Sequence, residues 1–161
     1  MNQKVLVTAG AGGIGLEIVK AFAATGAKVF VCDINETALK ELEQQVPGVI
    51  TSVCDISKRS DIESMVTFGA EALGGLDVLV NNAGIAGPTA PVEEINPDDW
   101  EKVMQIDING TFNVTRMAIQ SIKQFVDPKD IAALALFLAS DSAKMISGQI
   151  MPIDGDMQKA S

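Results

Sequence analysis

The sequence predicts an α/β protein with a doubly wound parallel sheet, truncated to about four parallel strands plus one C-terminal strand. Three observations carry this expectation. Short valine-rich apolar runs alternate with stretches of helical periodicity, the connections between them are short, and glycines mark the changes. Strand, helix, strand, helix with short links requires right-handed βαβ crossovers, and therefore parallel strands.

Lys4–Thr8 is the first β-rich run, followed by a glycine cluster. Ile14, Ile18, Val19, Phe22 and Ala23 recur at helix spacing and predict a helix over residues 16–25, which Gly26 stops. Residues 29–32 are continuously apolar, as a strand buried on both faces should be. Asn35 is placed to cap a helix running to Gln45, and Pro47-Gly48 turns the chain into a third strand over 49–54. A helix over 57–73 closes at Gly74-Gly75, and residues 77–80 form the fourth strand. A long helix follows Pro97-Asp98-Asp99 and is expected to reach about Lys123. Pro128-Lys129-Asp130 then opens an apolar helix over 131–139, residues 141–147 read as a loop, and residues 148–154 as the last strand.

Composition excludes several classes. The 161 residues carry a net charge of −9, the wrong sign for a phosphate backbone or an anionic membrane surface, so neither nucleic acid nor membrane is expected as a partner. No apolar run is long enough to span a bilayer, and Val5-Leu6-Val7 is too short for a signal peptide. Cys32 and Cys54 each end an apolar run and read as small core residues of a cytoplasmic protein, with no further ligands to suggest a metal. One domain covering 1–161 is the expectation at this length.

Gly10, Gly12 and Gly15 fit the spacing glycine, any, glycine, any, any, glycine between a strand and a helix, with Gly13 and Ile14 inside the loop. Glycine lets the backbone turn tightly and approach a pyrophosphate, while the N–H groups of the helix start face the anion. A plain strand-to-helix turn is the alternative. Asp33 ends the second strand 18 residues after Gly15, where a carboxylate can accept both ribose hydroxyls and repel a 2′-phosphate. No Arg or Lys follows within six residues, so NAD is preferred over NADP. Asp33 could instead serve only as a turn residue, a role that Asn35 can already fill. The expected architecture is thus a Rossmann-like doubly wound parallel sheet.

With Asn81-Asn82-Ala83-Gly84 after the fourth strand, the chain resembles the short-chain dehydrogenase/reductase family. Residues 8–15 are similar to its glycine loop, with Ala9 in place of the first glycine, and Asp55-Ile56 matches the pair that contacts adenine in that family. Trp100, Gly110-Thr111-Phe112, Asp130-Ile131-Ala132, Ser147-Gly148-Gln149 and Asp154-Gly155 follow in the family's order, so the likeness runs from Lys4 to about Asp156. The resemblance implies an NAD-dependent oxidoreductase, with Asn82, Ala83 and Gly84 joining the cofactor-binding residues. It also implies subunit contacts, hence a homo-oligomer.

The departures bear on activity. The family's catalytic tyrosine has no counterpart, since the chain contains no tyrosine and no histidine. Asp107 stands where the family carries an asparagine, and Asn109 falls on another helical face. Between Gln124 and Phe125 the chain passes from the family's fourth crossover helix to the segment before its C-terminal helix, as though the serine strand and the Tyr-x-x-x-Lys helix were deleted. Ser121 and Lys123, near this junction, read as surface residues. Three readings stay open. The chain is an NAD-binding protein unable to perform the tyrosine-dependent step, a non-enzymatic nucleotide-binding or interaction module, or an active dehydrogenase whose catalytic segment lies outside these residues. The direction of the last strand is equally open: antiparallel to the rest, reached through stacked helices, or paired with another chain.

Overall fold

A computed structural model of the protein describes residues 3–122 and 128–146. The expected last strand (148–154), the 124/125 junction and Lys123 lie outside the described residues. The chain divides into two compact units, Met1–Ile122 and Lys123–Ser161.

The first unit holds a four-stranded parallel sheet. β1 (Lys4–Thr8), β2 (Lys28–Asp33), β3 (Ile50–Val53) and β4 (Val78–Val80) lie in the order β3-β2-β1-β4. In register, Leu6 faces Phe30 of β2 and Leu79 of β4, and Phe30 faces Ile50 of β3. The two outer strands are shorter than the apolar runs that encode them. Pairing nevertheless continues past their ends: Cys54 N–H donates to the Asp33 carbonyl and Asp77 N–H to the Lys4 carbonyl, both at 2.9 Å.

Side chains alternate across the sheet, which explains the unbroken apolar strands. Val5, Val7, Val29 and Val31 pack on one face with Val19 of α1 (Gly13–Ala24) and with Leu39 and Leu42 of α2 (Glu36–Gln45). Leu6, Phe30 and Cys32 point to the other face. There they meet Ile62, Met65 and Val66 of α3 (Arg59–Leu73) and Val114 and Ala118 of a helix following β4. Each fully buried Leu or Val of these layers contributes about 1.5–3 kcal/mol of hydrophobic stabilisation.

Helix boundaries depart from the sequence expectation in ways that can be explained. α1 begins at Gly13, not at residue 16, because glycine's poor propensity hides the first turn from any periodicity reading. That turn is real: Leu16 N–H donates to the Gly12 carbonyl at 3.1 Å. α3 begins at Arg59, not 57, since the Asp55 carboxylate draws Ser57 N–H (3.0 Å) into a side-chain turn just before it. The long helix after Pro97 is continuous but not uniform. It runs as α4 (Pro97–Val103), a π-helical turn (Met104–Gly110) and α5 (Thr111–Ile119), and stops short of Lys123. In the second unit α6 (Pro128–Leu138) is followed by a 3₁₀ turn, Asp141–Ala143, where a loop was expected.

Candidate functional site

Asp33, Asp55, Ile56, Ala83 and Gly84 collect at the carboxyl ends of the strands. Chain connections from β1 lead one way to β2 and from β3 back across to β4, so the crevice beside β1 is a topological switch point.

The loop between β1 and α1 is shaped by close approach. A Cβ on Gly10 would lie 2.7 Å from Val31 Cγ1, and one on Gly15 would overlap the Ala9 carbonyl and come within 2.6 Å of Asn82 Nδ2. Those two glycines therefore serve packing. Gly12 and Gly13 differ: the space where their Cβ atoms would stand is open, and Gly13 has φ +52°. Gly12 caps α1 with no side-chain hydrogen bond, and the first turn holds no acidic residue. Exposed Ile14 follows. The start of α1 thus offers uncapped backbone N–H groups over a bare loop, which suits an anion such as pyrophosphate.

Asn82 fastens this loop to β4 and is not itself in the crevice wall. Its Nδ2 donates to the carbonyls of Thr8 (3.1 Å) and Ala9 (2.9 Å). The Thr8 hydroxyl in turn accepts the N–H groups of Asn82 and Ala83, each at 3.0 Å.

Asp33, at the end of β2, turns its carboxylate toward the glycine loop. Oδ2 accepts Ala11 N–H at 3.2 Å and Oδ1 accepts Asn35 N–H at 3.0 Å. Asn35 caps α2 through Ala38 N–H (3.1 Å), so Asp33 is not needed as the helix cap. Beside it opens a cleft of about 280 Å³. Asp33 and Cys32 come from β2, Cys54, Asp55 and Ile56 from the loop after β3, and Ala83, Gly84 and Ile85 from the loop after β4. The lining is mostly apolar, with carboxylates at Asp33 and Asp55 and an ammonium at Lys102.

Asp55 accepts the Ser57 hydroxyl at 2.7 Å and Ser57 N–H at 3.0 Å, and pairs with Lys58 at 3.3 Å. The Ser57 hydroxyl, above all, holds its carboxyl below the usual carboxylate range. Cys32 and Cys54 are buried, unbridged and adjacent, as core thiols were expected to be. The Cys54 sulfur and burial push the Cys32 thiol well up, so it stays protonated. Asp107 does not face the cleft freely. Its Oδ1 accepts Ile85 N–H at 2.9 Å, while Asn109 Nδ2 turns to Gln105 Oε1 at 2.9 Å.

The structure therefore brings together Asp33, Asp55, Ile56, Ala83 and Gly84, and places Gly10, Gly15 and Asn82 behind them. The sequence reading passed over Cys32, Cys54, Ile34, Ile85, Lys102 and Ile106 as cleft residues. The two thiols end apolar strands, and a ligand crevice lies beyond strand ends, so that signal was available. Lys102 and Ile106 sit on a helix remote in sequence, and nothing local marks them. Among the described residues no group of three or more His, Cys, Asp or Glu could hold a metal ion, and no helix is long and apolar enough to cross a membrane.

A family model described as short chain dehydrogenase matches residues 3–152. The chain belongs to the short-chain dehydrogenase family. It is 32% identical over 123 residues to the L-fucose dehydrogenase of Bos taurus, an overlap of 76% of this chain and 46% of that protein. It superimposes on NAD⁺-bound xylitol dehydrogenase with TM-score 0.72 and 30% identity, covering 74% of this chain and 48% of the other. An actinorhodin polyketide ketoreductase with NADPH gives TM-score 0.67 and 35% identity, covering 74% and 47%. This short-chain dehydrogenase chain spans about half the length of the relatives it matches. One of those two solved relatives carries NAD⁺ and the other NADPH, so family membership by itself names no single cofactor.

Proposed function

We propose that the chain binds the adenosine and pyrophosphate half of NAD. Pyrophosphate would lie over Gly12, Gly13 and Ile14, the adenosine ribose against Asp33, and adenine between Asp55-Ile56 and Ala83-Gly84. The single observation that carries this reading is the Asp33 carboxylate, set 3.2 Å from a glycine-loop N–H on the rim of the cleft. A ribose diol can take up both its oxygens, whereas a 2′-phosphate would meet a negative charge. NAD should bind at least about tenfold tighter than NADP, a gap of about 1.4 kcal/mol, and Asp33→Ala should narrow it. Equal affinities by calorimetry would remove the NAD preference. ADP-ribose should bind within a few-fold of NAD, because the family's Tyr-x-x-x-Lys pair, whose lysine clamps the nicotinamide ribose, has no counterpart in this sequence.

A nicotinamide cofactor supplies the hydride chemistry of this family, and a protein acid/base must move the accompanying proton. Within these residues there is neither a phenol nor an imidazole, and Asp107 is engaged with Ile85 N–H. The chain itself is proposed to be catalytically silent, the acid/base set being lost at an internal deletion at 124/125. Hydride transfer from an alcohol to NAD, abolished by Asp107→Asn, would overturn that part. The intact mass of the expressed chain beside its coding length separates a true deletion from a segment supplied elsewhere. Self-association into a homo-oligomer belongs to the same proposal, supported by the sheet edge at β4, which is unpaired among the described residues.

A further inference from the structure

The π-helical turn Met104–Gly110 touches both walls of the cleft. Gln105 Nε2 donates to the Ser57 carbonyl at 2.8 Å, and Asn109 Nδ2 holds the other end of that amide so that its NH₂ faces Ser57. A Cβ on Gly110 would stand 2.9 Å from the Ile56 carbonyl oxygen and 3.0 Å from Ile56 Cδ1, so the turn lies directly on the loop after β3. From the same seven residues Asp107 reaches the loop after β4 through Ile85 N–H at 2.9 Å. Ile56 and Ile85 both line the cleft, from the loops that follow the two outermost strands of the sheet, β3 and β4.

The helical register makes this grip possible. Gln105 and Gly110 are five apart, and at 3.6 residues per turn an α-helix would aim them roughly 140° away from each other. An i→i+5 turn brings such residues toward one side, and π turns of this kind concentrate at functional sites. Here both members of the pair meet the 55–57 loop, leaving Asp107 to hold the other wall.

We infer that the Met104–Gly110 turn is the positioning element of the cleft: Gln105 and Asp107 tie its two walls to one rigid segment and thereby set adenosine affinity. The affinity part rests on the adenosine reading above. Amide hydrogen–deuterium exchange on the unliganded chain, with ADP-ribose titration by calorimetry, tests it in Gln105→Leu, Asp107→Ala and Asp107→Asn. Gln105→Leu should speed exchange across 55–57, and Asp107→Ala across 83–85, each weakening ADP-ribose by up to about tenfold, the upper size of one lost hydrogen bond. Asp107→Asn keeps an acceptor oxygen, so both protection and affinity should return. Melting temperatures near wild type in all three would separate positioning from general destabilisation. Unchanged exchange in the two loops, or faster exchange with unchanged ADP-ribose affinity, would overturn the inference. Failure of the unmodified chain to bind ADP-ribose while exchange responds as expected would instead overturn the adenosine reading and leave the tie between the walls standing.

Discussion

Ala9 adopts φ +49°, the sole positive φ of a non-glycine among the described residues, at the position where the family's loop carries glycine. The left-handed region costs an alanine about 1–2 kcal/mol through its Cβ, more than the extra chain entropy that glycine would forfeit on folding. Ala9→Gly should therefore stabilise the fold by up to about 1 kcal/mol, seen as a rise of about 2–4 °C in the melting temperature. Asp55 gives a second expectation at this scale. Its folded-state pKa is depressed, chiefly by the Ser57 hydroxyl, so its contribution to stability is present above the ordinary carboxylate pKa of about 3.9 and is lost as pH falls through the folded value. Ser57→Ala should thus melt below wild type at neutral pH, with the gap closing in acid. A gap that stays constant between neutral and acid conditions would mean the hydroxyl acts only through packing.

At the scale of elements, α2 shows how directly residue chemistry becomes structure. Asn35 Oδ1 accepts Ala38 N–H at 3.1 Å, satisfying one of the donors that a helix start leaves orphaned. Asn35→Ala should lower unfolding free energy by about 1 kcal/mol, shifting the urea midpoint without changing the slope. This cap was legible in the sequence, as were the four described strands, because apolar runs ending in Asp, Asn or Gly state their own boundaries. Asp33 was legible too, from its place at the end of a strand. The π turn was not. Val103, Ile106 and Val114 keep a near-helical spacing across it, and a local widening of the ladder is decided by what the helix packs against. The same holds for Asp107: its residue type suggested chemistry, but its partner, Ile85 N–H, lies 22 residues away on another element. Contacts of that separation are set by topology, and no local pattern announces them.

For the molecule as a whole, the sheet edge at β4, open among the described residues, bears on the proposed self-association. Among the described residues β4 pairs with β1 alone, and Val78, Leu79 and Val80 are only half-buried. Ile108, Phe112 and Ile119 follow one another along the helix after it at intervals of four and seven residues, all exposed, with Phe112 62% accessible. In the second unit α6 exposes Leu136, Phe137 and Leu138. A parallel edge beside an apolar stripe is a surface on which another chain can pair, and burying it is favourable at about 25 cal/mol per Å². The net charge of −9 opposes self-association over long range. Physiological salt screens that repulsion beyond about 8 Å while leaving apolar burial intact. Sedimentation at micromolar concentration should accordingly show a dimer or larger species, strengthened by added salt and weakened by Phe112→Glu. A compact monomer that ignores both salt and the substitution would mean that the exposed stripe and the β4 edge are not what copies of this chain use to associate.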